Sequence, residues 1–271
     1  MKFTDSHCHL DFDEFSQQRN TLINQCADNN IHQIIVPSIH PKNWDKVLTL
    51  ANSLYPNSLS PNLDCNIYPC LGIHPWFLEG LNQQDLTALS AIVQCNKDKI
   101  IAIGEAGIDG GIIKQANNLA QQIEFFGHQL QLAKQHKLPI IVHHRQSHQH
   151  IVPLIKQANL SAGGVIHAFS GSYQQAKGYV DLGFKLGIGG TITYPRARKT
   201  INAIKRLPVS SLVLETDAPS MPLFGQQGKT NSPLALLDVF NALTEIRDEN
   251  PEELATQLEE NIDQLFFSNN Q

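Results

Sequence analysis

Eight short apolar runs of β-favouring residues punctuate this chain, beginning near Phe3, Gln33, Ile67, Ile100, Pro139, Gly164, Phe184 and Ser211. Amphipathic or polar stretches long enough for a helix separate most of them. Such runs read as strands of a parallel sheet, whose two faces are both covered. Eight strands alternating with helices predict an α/β fold of the (β/α)8 TIM-barrel type. That fold takes about 250 residues, nearly all of the 271 present, so one domain spanning 1–271 is expected. A composition 41% hydrophobic and 17% charged can bury a core of that size.

The helical stretches carry their own punctuation. From 116 to 136, Leu119, Ile123, Phe126, Leu130 and Ala133 fall at three- and four-residue steps along one face, and Pro139 then opens the next strand. Ser232-Pro233 places a capping residue before a proline at the first helical position, with Leu234, Leu237, Phe240, Leu243 and Ile246 on the inner side. Asn250-Pro251-Glu252-Glu253 repeats that signal for a terminal helix carrying Leu254, Leu258, Ile262 and Leu265. The Pro-, Ser- and Asn-rich stretch 55–66 is expected as a surface loop.

Six potential metal ligands sit where apolar runs end: His7, His9, Glu105, His143, His167 and Asp217. In an α/β barrel those ends converge on one face, where active sites gather. His7 and His9, two apart, share a face of a strand, and one ion takes an imidazole nitrogen from each. Alone, a His-x-His pair is a weak signal; its companions strengthen it. Glu105, flanked by Gly104 and Gly107, offers a carboxylate able to bridge two divalent cations. His143 and His167 end successive strands and complete a second site. Asp217 offers both a ligand and an acceptor for the proton of a bound water.

Charge and cysteine content narrow the partners. Twenty basic against 25 acidic residues give a net charge of −5. This opposes a broad phosphate-binding surface, yet a local basic patch remains compatible with nucleic acid as substrate. The N-terminus turns polar at once, and no apolar run approaches ~18 residues. A cytoplasmic protein without a membrane partner is expected. Five cysteines, with no Cys-x-x-Cys pair, read as reduced and mostly buried thiols. Nothing indicates an obligate protein partner, and a monomer is the default expectation.

The chemistry-bearing segments also share a wider likeness. Asp5-Ser6-His7-Cys8-His9-Leu10-Asp11, Gly72-Ile73-His74-Pro75, Gly104-Glu105-Ala106-Gly107-Ile108-Asp109, Val142-His143-His144-Arg145, Val165-Ile166-His167-Ala168-Phe169-Ser170-Gly171 and Leu214-Glu215-Thr216-Asp217-Ala218-Pro219 occur in that order. With Gly189-Gly190-Thr191-Ile192-Thr193-Tyr194-Pro195-Arg196-Ala197 and Gly228-Lys229-Thr230-Asn231, they make the chain resemble the TatD family of metal-dependent deoxyribonucleases, most closely its YjjV branch, from Thr4 to about Phe266. The resemblance implies a barrel holding two divalent ions, with zinc, manganese or magnesium all compatible with the donors. One ion would sit on His7, His9, Glu105 and Asp217, the other on Glu105, His143 and His167. Asp217, Glu105 and His74 are the implied catalytic residues, His74 facing the substrate either as a contact or as a proton donor. Arg145, Ser170, Lys229 and Asn231 are the implied substrate contacts; for Arg145 a salt bridge in the barrel mouth is an equal reading.

Asp5, Asp11 and Asp109 are expected to orient ligand imidazoles, and His144, His148 and His150 to lie on the following turn and helix as non-ligands. Two positions depart from the commonest family pattern, His144 in place of a serine and Gly110-Gly111 in place of an aromatic, and both border the substrate mouth. Three function classes follow: a phosphodiesterase acting on DNA ends along a groove of Arg145, Arg196, Arg198 and Lys229; a two-metal hydrolase of ester or amide bonds, such as an aminoacyl ester on RNA; and a non-catalytic metal-binding module.

Overall fold

The structure is a computed structural model and describes residues 1–52 and 65–268. The loop expected at 55–66 lies, through residue 64, outside the described residues. One parallel sheet runs in the order β1 (Phe3–Asp5), β2 (Ile31–Pro37), β3 (Asn66–Leu71), β4 (Ala102–Asp109), β5 (Ile140–Arg145), β6 (Gly164–Ile166), β7 (Phe184–Ile188) and β8 (Leu212–Leu214). Every neighbouring pair in that order is parallel. The Ser6 N–H donates to the Leu214 carbonyl at 2.9 Å and draws β8 against the end of β1, so the sheet forms a nearly closed barrel. Helices fill the connections: α1 (Arg19–Asp28), α2 (Trp44–Asn52), α3 (Gln83–Asn96), α4 (Gly110–Ala116), α5 (Leu119–His136), α6 (His148–Ala158), α7 (Tyr173–Val180), α8 (Arg198–Arg206), α9 (Leu236–Ile246) and α10 (Pro251–Ile262). No described helix is long and apolar enough to cross a membrane.

Strand alternation sorts the core into two clusters. Ile34, Val36, Ile140, Val142, Ile166, Leu212 and Leu214 pack outward among the helices. Their neighbours Ile35, Ile141, Val165 and Val213 join Cys70 and Ala102 in a second cluster inside the barrel, closed by Ile262, Leu265 and Phe266 from the C-terminal segment. Side chains two residues apart on a strand share a face. His143, His167 and Glu215, two residues beyond Ile141, Val165 and Val213, therefore continue the inward rows toward the mouth.

Two helices differ from their sequence reading. The stretch 116–136 is interrupted at Asn117, whose φ of 48° ends α4, and α5 begins only at Leu119. After Ser232 a 3-10 turn, Pro233–Ala235, precedes α9 and advances its phase, so Leu236, Val239, Phe240 and Leu243 are buried while Leu234, Leu237 and Ile246 are only partly covered. Helix α5 also buries Gln122 and Gln129, which periodicity does not foresee. Gln129 spans the Ile73 peptide, accepting from its N–H at 2.8 Å and donating to its carbonyl at 3.0 Å. Gln122 accepts from the Asp109 N–H at 2.8 Å.

Candidate metal centre

Glu105 lies in the middle of β4 rather than at its end, and strict alternation from the outward Ile103 would turn it away from the lumen. The β4–β5 register slips between Ile103 and Ala106, with Gly104 at φ +144°, a conformation open to glycine. That extra residue inverts the side-chain phase and brings Glu105 inward, where it is 2% exposed. His143 likewise sits within β5 rather than at its end, while His7, His9 and Asp217 lie beyond β1 and β8, so the His-x-His pair is not on a strand. The imidazoles of His7 and His9 still converge, Nε2 to Nε2, at 3.3 Å, and Cys8 between them is fully buried.

The two oxygens of Glu105 face different partners. Oε2 lies 3.2 Å from His7 Nε2 and 3.4 Å from His9 Nε2. Asp217 Oδ1 stands 3.6 Å from each of those nitrogens. A tetrahedral ion with ligands at ~2.0–2.1 Å requires donor-to-donor edges of roughly 3.3–3.4 Å, so His7, His9 and Glu105 Oε2 are spaced as such an ion requires, with Asp217 Oδ1 slightly farther from the two imidazoles. Oε1 faces His143 Nδ1 at 3.0 Å, His74 Nε2 at 3.2 Å and His167 Nε2 at 3.6 Å. The groups His7, His9 and Glu105, and His74, Glu105 and His143, each place potential ligand atoms within 4.8 Å of one another.

Outer carboxylates aim two of the imidazoles. His143 turns its other nitrogen, Nε2, to Asp109 Oδ2 at 2.9 Å. His167 turns Nδ1 to Glu215 Oε1 at 3.2 Å, leaving Nε2 toward Glu105. Glu215 is fully buried, and no motif in the sequence marks an orienting role for it; its one sequence signal is its place two residues past Val213. Gly187 makes the room, since a Cβ there would fall 2.0 Å from Glu215 Oε2. A group of His7, His167 and Glu215 also has ligand-like spacing, but the Glu215 contact to His167 Nδ1 makes it an orienting carboxylate of the kind that holds metal-bound histidines. Of the aspartates expected to orient imidazoles, only Asp109 does. Asp5 instead accepts from the His7 and Thr216 N–H groups and the Thr216 hydroxyl, and Asp11 accepts from Asn43.

Protonation follows burial and charge. Burial pushes Asp217 up to about 6 and Asp5 up to about 8. Burial also raises Glu105, but His74, His7 and His167 outweigh it and hold the carboxyl well below its usual range. Burial opposes charge on His167 too, yet Glu215, Asp217 and Glu105 lift it to about 10. Burial carries His74 down to about 4. Its Nδ1 accepts from the Trp76 N–H at 3.1 Å, so Nε2 bears the hydrogen and His74 faces Glu105 as a donor.

A cavity of about 660 Å³ opens over this cluster, lined among others by His9, His74, Glu105, His143, His167 and Asp217. Arg145 and Ser170 line it as well. The Arg145 guanidinium is half exposed and 3.8 Å from Asp109 Oδ2. Two expected substrate contacts are placed elsewhere. Lys229 is exposed and outside the lining. Asn231 is buried and spends its amide on the Thr216 and Met221 carbonyls, pinning the turn that carries Asp217 at φ 56°. His144 is still on β5, not on the turn, and its outward phase packs it on Phe169 and Tyr179; His148 and His150 lie on α6 as expected.

Known proteins match this chain along nearly its whole length. The family described as TatD related DNase matches residues 4–267. The metal-dependent hydrolase YjjV of Escherichia coli K12 is 40% identical over 265 residues, 98% of each chain. A metal-dependent hydrolase of Haemophilus influenzae is 38% identical over 271 residues, 98% of this chain and 100% of that one. The crystal structure of YjjV superposes with a TM-score of 0.89 at 41% identity, covering 97% of both chains. By family match, relatives and barrel alike, the chain belongs to the TatD-related DNase family of metal-dependent hydrolases.

Proposed function

We propose that this protein is a divalent-metal-dependent phosphodiesterase of the exonuclease type, cleaving DNA ends with an activated water. The observation that carries the reading is the split of Glu105, one oxygen toward His7 and His9 and the other toward His143 and His167. His7, His9, Glu105 and Asp217 would hold one ion, and Glu105, His143 and His167 a second. When bound, such ions lower the pKa of water and polarise a phosphoryl oxygen.

The remaining work falls to the chain's own groups. Asp217 takes the proton of the attacking water at Oδ2, since Oδ1 faces the histidines. His74, neutral with its one hydrogen on Nε2, would turn that hydrogen from Glu105 Oε1 to an oxygen of the substrate. Arg145 receives a phosphate with its exposed fork. Asp109 and Glu215 keep His143 and His167 turned inward. The family described as DNase supports the phosphodiester as substrate.

Elemental analysis of protein purified without added metal, followed by hydrolysis of single-stranded DNA with metal restored, tests this. About two ions per chain and DNA cleavage are expected. Asp217→Asn should lower turnover about 10²–10⁴-fold with the circular dichroism of the fold retained; unchanged turnover removes Asp217 from its role. Bound metal without DNA cleavage overturns the substrate and moves the search to ester and amide bonds.

A further inference from the structure

We infer that Trp76 is a specificity-determining residue, a fixed stacking platform for the nucleobase beside the scissile bond. An indole 48% exposed would ordinarily be mobile, but this one is tethered. Its Nε1 donates to Asp109 Oδ2 at 2.7 Å. Asp109 is itself fully buried, and its Oδ1 accepts from the Gly111 and Ile112 N–H groups at 2.7 and 2.9 Å, so the anchor is immobile. The Trp76 ring stands across those of His74 and His143, at 5.3 and 5.9 Å between centroids, and forms part of the cavity wall.

Nothing in the ligand set requires a large aromatic here. A ring ordered before binding loses little freedom when a planar group stacks on it, which is how preorganisation becomes affinity. Beside it Phe77, 39% exposed, widens the apolar wall. Arg145 reaches the same Asp109 oxygen at 3.8 Å, so a guanidinium for a phosphate and an indole for a base flank one carboxylate. Stacking on such a face is tolerant of base identity and favours any nucleotide over a bare sugar phosphate.

This assignment rests on the phosphodiesterase reading for its substrate, and the test separates the two. The chain has two tryptophans, and Trp44 is buried with its N–H on the Gly72 carbonyl, so Trp76 is the exposed fluorophore. Deoxyadenosine monophosphate should quench the emission of the full-length protein, deoxyribose 5-phosphate should not, and Trp76→Phe should abolish the response. On DNA ending in an intact or an abasic nucleotide, Trp76→Leu should lower the intact-to-abasic ratio of kcat/KM about tenfold, mainly through KM, with Trp76→Phe retaining most of the preference. Equal quenching by both probes, or an unchanged ratio in Trp76→Leu, overturns the platform even if DNA is cleaved. Selective quenching in a protein that cleaves no DNA retains the platform and overturns only the phosphodiester as its bond.

Discussion

At the residue scale the site is a set of imidazoles aimed by carboxylates. His167 has two nitrogens and only one can face Glu105; the bond to Glu215 decides which. Glu215→Gln keeps the shape and removes the charge. Zinc affinity should fall about 10- to 100-fold, read by competition with a chromogenic chelator. An affinity within twofold of the parent would show that Glu215 does not orient His167. The left-handed Asp217 is the other case, since its carboxylate meets His7 and His9 from a turn that Asn231 pins at two carbonyls and that the Asp217 N–H ties to the His7 carbonyl at 2.8 Å.

Elements act through polar clamps between helix and barrel. Gln129 of α5 satisfies both backbone groups of Ile73, next to His74. Gln129→Leu would leave a buried donor and acceptor without partners, at a cost of about 2–4 kcal/mol. A lowered urea midpoint with an unchanged slope is expected; a midpoint shift worth less than about 1 kcal/mol would mean that the backbone finds other partners. Glu259 of α10 clasps β1, accepting from Thr4 N and Thr4 Oγ1 at 2.8 Å each. Burial raises it from 4.5 to about 7. A folded pKa above the unfolded one contributes stability that is complete below pH 4.5 and lost as pH rises through about 7. Glu259→Gln should therefore match the parent below pH 4.5 and exceed it above pH 7, by about 1–3 kcal/mol with the side chain 20% exposed. Melting temperatures across that range that run parallel would contradict the clasp.

For the whole molecule, the barrel draws donors from β4, β5 and the segments that follow β1, β3, β6 and β8 into one mouth, so an ion bound there ties distant parts of the chain together. Ligand present at 100- to 1,000-fold above its dissociation constant stabilises by about 2.7–4.1 kcal/mol. Chelation should lower the melting temperature by roughly 5–10 °C for a chain of this size, and stoichiometric zinc should restore it. A melting curve indifferent to both treatments would argue against an ion in this centre.

Strand count and barrel class were legible in the chain, because apolar runs of strand length separated by helix-length stretches have few other ways to bury themselves. The inward row from Val213 to Glu215 follows from alternation, a property of the strand itself, although no motif marks Glu215. Other features depended on partners far along the chain. The register slip that turns Glu105 inward exists only against β5. The commitment of Asn231 to carbonyls, and the tether of Trp76 to Asp109 across 33 positions, are contacts that no local pattern encodes. Periodicity within the sequence determined which elements form and which faces they hide; the close approach of separate strand ends decided which polar groups meet.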